Sequence, residues 1–271
     1  GPLLDGSIKP VGIPDADGNY VMAPYSARGN DEIKKFYQTG TILQNNLNIS
    51  AGGADGYVNL NLGNVRRDFI LEGDELNRNT VVLTAGKKIN KFTVGGTFTF
   101  TNQRTKQANV NAATSRSDYT LLTTLLQAAS NVPIEEFKNR GLYGWNGYYQ
   151  NPYWARENNR LEETKNFINL GMNAGYEINK NIEIVYNGSV QMRNTNQVSY
   201  SNQAISPADA DGGFDSPSQF YQSTLGSTFY YGDLMANFNY DLSDALKLKF
   251  NVGQNVQYNY SKRISQGGTN L

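Results

Sequence analysis

The residues best suited to chemistry in this sequence are aromatic rings that crowd into one stretch, residues 141–154. Aromatic rings beside amide side chains can stack on sugar rings or hold peptide side chains, while the amides fix orientation. The same rings could pack the stretch against itself or against a partner protein, and the sequence leaves both roles open. The six candidate ligand-binding residues of this aromatic loop are Tyr143, Trp145, Tyr148, Tyr149, Tyr153 and Trp154.

Two missing residue types exclude most enzyme chemistry. The chain has no histidine and no cysteine, so it lacks an imidazole base, a thiolate nucleophile and the usual ligands of zinc. Carboxylates, lysines, tyrosines and serines remain, but no nucleophile elbow, P-loop or dinucleotide-binding glycine motif organises them. We therefore expect no enzymatic activity and no cofactor.

Two short acidic stretches resemble the beginning of a calcium loop. Residues 15–19 and 209–213 carry oxygen-bearing side chains at alternate positions, but their glycine comes too early and the closing glutamate is missing. Because Asp and Gly favour bends, turns are the expected structure of both stretches. The acidic run from Glu72 to Glu75 is predicted to be a solvated loop tip.

Charge and composition narrow the range of partners. Lys and Arg number 24 and so do Asp and Glu, which gives a net charge of zero. This balance argues against a nucleic-acid partner, because phosphate binding needs a basic surplus. No run of about 18 apolar residues is present, so no transmembrane helix is predicted. Aromatic residues nevertheless make up 12% of the chain against 18% charged residues, an unusual mixture for a soluble surface.

The strongest pattern is the alternation of apolar and polar residues, which is typical of strands with one wet face and one apolar face. From Ile182 to Arg193 the even positions are mostly apolar and the odd positions mostly polar. The stretch from Phe167 to Ile178 alternates in the same way, and residues 179–181 join the two as a tight turn. Similar pairs predict about eight strands in four hairpins: 43–50 with 58–63, 81–85 with 92–100, 167–178 with 182–193, and 234–242 with 246–260.

The predicted connections between these strands are very unequal in length. Short turns close each hairpin, whereas long polar stretches at residues 64–79, 102–163 and 194–229 join one hairpin to the next. Such long loops are uncommon in compact domains, but short turns at one end and long loops at the other are typical of transmembrane β-barrels. Within the longest stretch, residues 117–129 predict a short helix that either folds onto the barrel mouth or binds a partner.

The composition of the strand faces favours a membrane barrel over a soluble fold. The face opposite the apolar one is mostly Asn, Thr, Ser, Gly and Gln, which suits a water-filled lumen. Aromatic rings such as Phe92, Tyr176, Tyr240, Tyr258 and Tyr260 lie near the ends of apolar faces, where membrane interfaces stabilise them. A soluble glycan-binding or adhesion β-domain, whose apolar face would be a core, stays an alternative, and a small closed eight-stranded barrel is a third.

The expected fold class is therefore all-β, an antiparallel transmembrane β-barrel with long extracellular loops and one short helix. Residues 1–40 are expected to form the first extracellular loop, which leads into the barrel. Residues 41–262 are expected to form a partial barrel, and residues 263–271 to begin the next outer loop.

Several short motifs resemble, in the same order, those of the SusC/RagA-like TonB-dependent transporters of Bacteroidota outer membranes. The opening Gly1-Pro2-Leu3-Leu4-Asp5-Gly6 resembles the family's W-G-P-x-L-D-G stretch. Residues 33–40 resemble its N-x-x-x-F-F-x-x-G approach to a barrel strand, and residues 48–53 resemble its S-x-S-G-G end. The triplet at 132–134 and Asn151-Pro152-Tyr153-Trp154 resemble its P and N-P-x-W landmarks in one long extracellular loop.

This resemblance implies a barrel of about 22 strands with a plugged lumen, energised through TonB, ExbB and ExbD and capped by a SusD-like surface lipoprotein. Because the sequence shows neither the plug nor a TonB box, we expect it to correspond to an internal part of a longer protein. The expected function is import of oligosaccharides or peptides across the Gram-negative outer membrane, in contact with its lipid. The residues of the aromatic loop do not separate a sugar from a peptide.

Overall fold

The structure is a computed structural model that describes residues 4–15, 17–29, 31–109, 121–142, 145, 149–205 and 215–270. Strands β1 (Ile8–Val11) and β2 (Val21–Pro24) form a small antiparallel hairpin that precedes helix α1 (Asp31–Lys35). The other described helices are α2 (Leu121–Leu126), a 3-10 helix (Ile134–Phe137) and α3 (Pro152–Asn158). None of these helices is long and apolar enough to cross a membrane.

Eight long strands form one antiparallel sheet, in which each strand pairs with the next along the chain. The strands are β3 (Thr41–Gly53), β4 (Gly56–Asp68), β5 (Glu75–Ile89), β6 (Phe92–Ala108), β7 (Asn159–Asn179), β8 (Ile182–Ser201), β9 (Gln219–Ser243) and β10 (Leu246–Thr269). The predicted all-β fold and its four hairpins are confirmed. β3 and β10 are the two edges, so the sheet is open in this chain.

The register of the sheet sorts the alternating side chains into two unlike faces. One row of directly opposed residues crosses all eight strands and is apolar throughout: Ile49, Leu60, Leu83, Phe98, Leu170, Val190, Tyr230 and Tyr258. The neighbouring row, one residue along each strand, points to the opposite face: Ser50, Asn59, Thr84, Thr97, Gly171, Ser189, Tyr231 and Gln257. We call these the apolar face and the polar face.

The apolar face is closed at one end by a row of asparagines. Six of them lie directly opposite one another on consecutive strands: Asn45, Asn64, Asn79, Asn102, Asn166 and Asn194. Side-chain amides bridge neighbouring strands along this row, as from Asn64 Nδ2 to Asn79 Oδ1 and from Asn102 Nδ2 to Asn166 Oδ1, both at 2.7 Å. The row marks the side of the sheet that carries the long connections, which we call the loop end. The opposite side is the turn end.

The hairpins are staggered along the sheet. The first residue of β4, Gly56, lies opposite Lys87; the first residue of β6, Phe92, lies opposite Tyr176; and the first of β8 lies opposite Phe238. Each of these partners stands short of its own hairpin turn, so each hairpin reaches beyond the one before it. A stagger of constant sense tilts the strands, as the closure of a barrel requires.

The strands run further towards the loop end than alternation predicts. The connections occupy residues 69–74, 109–158 and 202–218, so they are shorter than the predicted 64–79, 102–163 and 194–229. β10 also continues to Thr269, through residues 263–269, where the beginning of an outer loop was expected. The added segments are mostly polar on both faces, so the alternation signal ends although backbone pairing continues.

The connections contain more helix than the single one predicted. The described part of the predicted helix, α2, is confined to Leu121–Leu126, because Ala128 N–H bonds to Leu125 in an i to i+3 turn at 3.2 Å. Residues 117–120 lie outside the described residues. α1 and α3 have only five and seven residues, which is too short for a helical period to emerge from the sequence.

The buried core lies beside the sheet. β1, β2, α1, α2, the 3-10 helix and α3 together form a unit that we call the loop cluster. Its largest buried side chains include Phe36, Leu125, Ile134 and Phe137, which are all at most 2% exposed. The predicted first loop is thus a folded part of this cluster, with a hairpin and a helix of its own.

Candidate functional site

The aromatic loop ends in α3, whose start follows from its sequence. Asn151 is the N-cap: its side-chain oxygen accepts the backbone N–H of Tyr153 at 3.1 Å, which satisfies a donor that the first turn leaves free. Pro152 follows at the first helical position, where its missing N–H costs nothing. Asn151 Nδ2 also donates to the carbonyl of Phe137 at 2.8 Å, so this fully buried amide ties α3 to the 3-10 helix.

The structure places two of the six candidate residues inside the loop cluster. The Trp145 ring meets Phe137 edge to face, with centroids 5.1 Å apart, and the Tyr153 ring meets Phe36 at 4.9 Å. Trp145 and Tyr153 are 4% and 2% exposed. Burial raises the pKa of Tyr153 to about 12. These two rings therefore serve as packing elements in this conformation.

Two further candidates lie at the edge of the cluster. Tyr149 and Trp154 are half-buried and pack against its core, which leaves part of each ring accessible. The Tyr149 hydroxyl donates to the side chain of Gln127, next to α2. Tyr143 and Tyr148 lie outside the described residues. Ligand contact by the aromatic loop stays a prediction.

A buried ion pair joins the β4–β5 connection to the start of β7, and Arg160 extends it to α3 of the loop cluster. Asp74 and Arg160 join at 2.9 Å, and Asp74 also accepts the backbone N–H of Ala108, at the end of β6, at 2.7 Å. The Arg160 guanidinium also donates hydrogen bonds to the backbone carbonyls of Gly73 and Arg156. Burial raises the pKa of Asp74, although the Ala108 N–H and Arg160 act in the opposite direction.

The burial of Asp74 corrects the solvated loop tip predicted for residues 72–75. Only Glu72 and Gly73 are exposed there. The sequence carries no signal for the ion pair, because Asp74 and Arg160 are 86 positions apart. Their meeting depends on the register that aligns β5, β6 and β7.

A second buried cation lies next to the aromatic rings. The side chain of Arg156 is 3% exposed and its Nη2 lies 3.1 Å from carboxylate oxygens of both Glu72 and Glu157. Its guanidinium carbon stands 5.3 Å from the ring centroids of Phe36 and Tyr153. A hydrogen bond from Lys138 and the charge of Arg156 lower the pKa of Glu72. Paired charges and rings therefore surround this arginine.

The acidic stretch at residues 15–19 forms a turn. Asp15 Oδ1 accepts the backbone N–H groups of Asp17 and Asn19 at 3.0 and 2.8 Å, and Asp15 Oδ2 lies 3.1 Å from Arg140 Nη1. The carboxylate is thus used in local bonding. The second stretch, residues 209–213, lies outside the described residues. Among the residues that the structure describes, no cluster of three or more carboxylates could hold a metal ion.

The polar face of the sheet is a broad surface of amides and hydroxyls. Hydrogen bonds cross it between strands, as from Ser50 Oγ to Asn59 Oδ1 at 3.1 Å and between the hydroxyls of Thr80 and Thr101 at 3.4 Å. Such groups bind water and neutral polar ligands, and nothing in them supports covalent chemistry. The face is therefore suited to guiding solutes.

Comparison with solved structures identifies the fold. The RagAB peptide importer in its closed-closed state matches with a TM-score of 0.67, over 97% of this chain, at 12% identity. The open-open state matches with a TM-score of 0.64 over 90% of the chain at 13% identity, and another RagAB peptide transporter structure with 0.65 over 89% at 12%. This chain therefore has the fold of part of an outer-membrane β-barrel transporter.

The matched structures are much longer than this chain, and they are only 12–13% identical to it. The chain spans 27–28% of the length of the solved RagAB chains. No protein-family model and no curated protein matches the sequence. The neighbours are transporters rather than enzymes, and their fold agrees with the SusC/RagA-like resemblance of the sequence motifs.

Proposed function

We propose that this chain forms part of the wall of a SusC-like, TonB-dependent outer-membrane importer of oligosaccharides or peptides. The observation that carries the proposal is the row of eight apolar residues that crosses the whole sheet on one face. Ile49, Leu83, Leu170 and Tyr230 in this row remain 40–54% exposed. Contact with lipid would remove this surface from water, at a gain of roughly 25 cal/mol per Å².

The polar face supports the same proposal from the other side. In a transmembrane barrel lipid-facing and lumen-facing residues alternate, and the amides and hydroxyls of the polar face would line the solute path. The soluble glycan-binding alternative requires a second layer over the apolar face, because soluble monomers rarely expose so large an apolar patch. Within the described residues no such layer packs on it.

The loop cluster provides candidate contacts with a SusD-like lipoprotein lid. α2 buries Leu121 and Leu125 in the cluster but leaves Leu122 and Leu126 52% and 63% exposed. Tyr149, which bonds to Gln127 next to α2, and Trp154 of α3 also keep part of their rings accessible. In this proposal the lid binds there and the loops hold the ligand, while TonB, ExbB and ExbD act through a plug.

Cysteine labelling in outer-membrane vesicles tests the proposal. Single cysteines replace Leu170, Ile184 and Leu248 on the apolar face, and Asn169, Asn187 and Lys249 on the polar face serve as matched controls. We expect a water-soluble maleimide to modify the polar-face set readily and the apolar-face set slowly. Equal labelling of the two sets would refute a lipid-facing sheet.

A further inference from the structure

A depression of about 530 Å³ lies on the polar face, towards the loop end, across β6 to β9. Its size falls in the range of small-ligand sites. Hydroxyl and amide groups of Thr101, Gln103 and Thr195 line it together with the apolar side chains of Phe167 and Leu225. Arg193 and Lys165 supply two cationic groups.

Arg193 and Lys165 differ in how far their charges are already paired. Arg193 lies directly opposite Phe167 on the neighbouring strand, and its guanidinium carbon stands 5.3 Å from the centroid of the Phe167 ring. The ring supports one side of the guanidinium without occupying its N–H donors. Arg193 is exposed and forms no ion pair with any acid in the part of the chain that the structure describes. Lys165 differs, because Glu163 lies 2.6 Å from its ammonium group.

Cations outnumber acids around the depression. The described cations of the polar face in its loop-end half are Arg67, Arg78, Lys165, Arg193 and Arg263, and the described acid there is Glu163. The turn-end half holds Lys88, Lys247 and Lys249 against Glu177, Glu183, Asp233 and Asp241. An anion that enters from the loop end therefore meets a basic surface first, although the chain as a whole is neutral.

We propose that this depression binds a carboxylate side chain of an acidic peptide. A guanidinium with free N–H donors binds a carboxylate through two parallel charge-assisted hydrogen bonds. Neighbouring amides and hydroxyls would accept and donate along the peptide backbone. A peptide fits better than an acidic sugar, because Arg193 already covers one face of the Phe167 ring that a sugar would need for stacking. The inference rests on the proposed function, since it needs the polar face to line a solute path.

Binding of short peptides to the purified full-length protein in detergent tests this site. Fluorescent hexaglutamate is the probe, and hexaglutamine and hexalysine are the charge controls. We expect hexaglutamate to bind at least about tenfold more tightly than either control, and added salt to weaken it. Equal affinity for hexaglutamine and hexaglutamate would overturn the inference.

Two variants locate the effect. Arg193→Gln should weaken hexaglutamate binding about tenfold or more, and Arg193→Lys should restore part of the loss, because a point charge replaces a bidentate donor. Arg104→Gln is the matched control, since Arg104 is an exposed arginine of β6 on the opposite face. Unchanged binding in Arg193→Gln, or an equal loss in Arg104→Gln, would refute the site. Displacement of hexaglutamate by trigalacturonate at the same concentration as by unlabelled peptide would refute the peptide assignment.

The outcomes separate this inference from the function on which it rests. Labelling of single cysteines at positions 187 and 184 needs no ligand. The same labelling in the Arg193→Gln background shows whether that variant still folds. If that pattern holds and hexaglutamate does not bind, the acidic-peptide site is wrong while the importer wall stands. If both cysteines label equally, the proposed function itself is wrong.

Discussion

The sheet and the loop cluster treat their apolar side chains in opposite ways. Of the buried hydrophobic residues in the described part of the chain, only Ala108 belongs to the eight-stranded sheet, and it lies at the end of β6. Apart from Ala204, which lies between β8 and β9, the others belong to the loop cluster, which buries them as a small soluble domain would. The long strands instead leave residues such as Leu170 and Val252 exposed. The cluster is thus stabilised by its own packing, whereas no described layer of protein covers the apolar face of the sheet.

The largest expected difference between the two regions comes from deleting one buried ring. Phe137→Ala should destabilise the loop cluster by about 3–5 kcal/mol, because the ring is fully buried and its removal leaves a cavity. Hydrogen exchange of the α3 amides measures the loss. Leu170→Ala on the apolar face is the control, and it should change sheet protection by less than about 1 kcal/mol. A comparable loss of stability in Phe137→Ala and Leu170→Ala would show that the two regions do not differ in how they are stabilised.

The junction between the two regions should be nearly as sensitive. Asp74→Ala leaves Arg160 buried without its carboxylate, at an expected cost of about 3 kcal/mol. The readout is the hydrogen-exchange rate of the Ala108 amide, whose N–H donates to Asp74, together with the rates of the α3 amides. Glu136→Ala removes an exposed carboxylate of the 3-10 helix and should cost less than about 1 kcal/mol. If Glu136→Ala had the larger effect, the buried pair would not hold α3 to the sheet.

The two faces of the sheet should also differ in how well they tolerate an added charge. Leu83→Arg puts a cation on the apolar face and should lower the stability of the lipid-embedded protein by about 2–4 kcal/mol. Thr84→Arg puts the same side chain on the polar face of the same strand and should be tolerated. Denaturant unfolding in lipid vesicles compares them. Equal destabilisation would mean that neither face meets lipid.

The smallest effect is confined to high pH. The folded state raises the pKa of Tyr153 from 10.0 to about 12, so it favours the neutral phenol. That contribution to stability is complete below pH 10 and is lost as the pH rises through 12. Tyr153→Phe should therefore match the wild type at pH 7 and resist alkaline unfolding better, as followed by tryptophan fluorescence. Tyr20→Phe, at an exposed position, should change neither the stability at pH 7 nor the alkaline unfolding.

Alternation predicts the hairpins and the two faces of the sheet because it is a local property of each strand. A period of two assigns every side chain to a face, and short polar turns such as residues 179–181 set the pairing of adjacent strands. The same reasoning misses the strand ends near the loop end, where both faces are polar. It also cannot find α1, which has too few residues to show a period.

The sequence by itself therefore determined the all-β fold, the hairpin order and which side chains share a face. Only the tertiary structure decided what happens in the connections. It buries Tyr153 against Phe36 from a distant part of the chain and Trp145 against Phe137 of the 3-10 helix. It also joins Asp74 to Arg160 across 86 positions. It also gathers the basic residues of the polar face into its loop-end half, although the sequence shows only a neutral total. Contacts between distant residues depend on strand register and chain closure, and no local pattern records them.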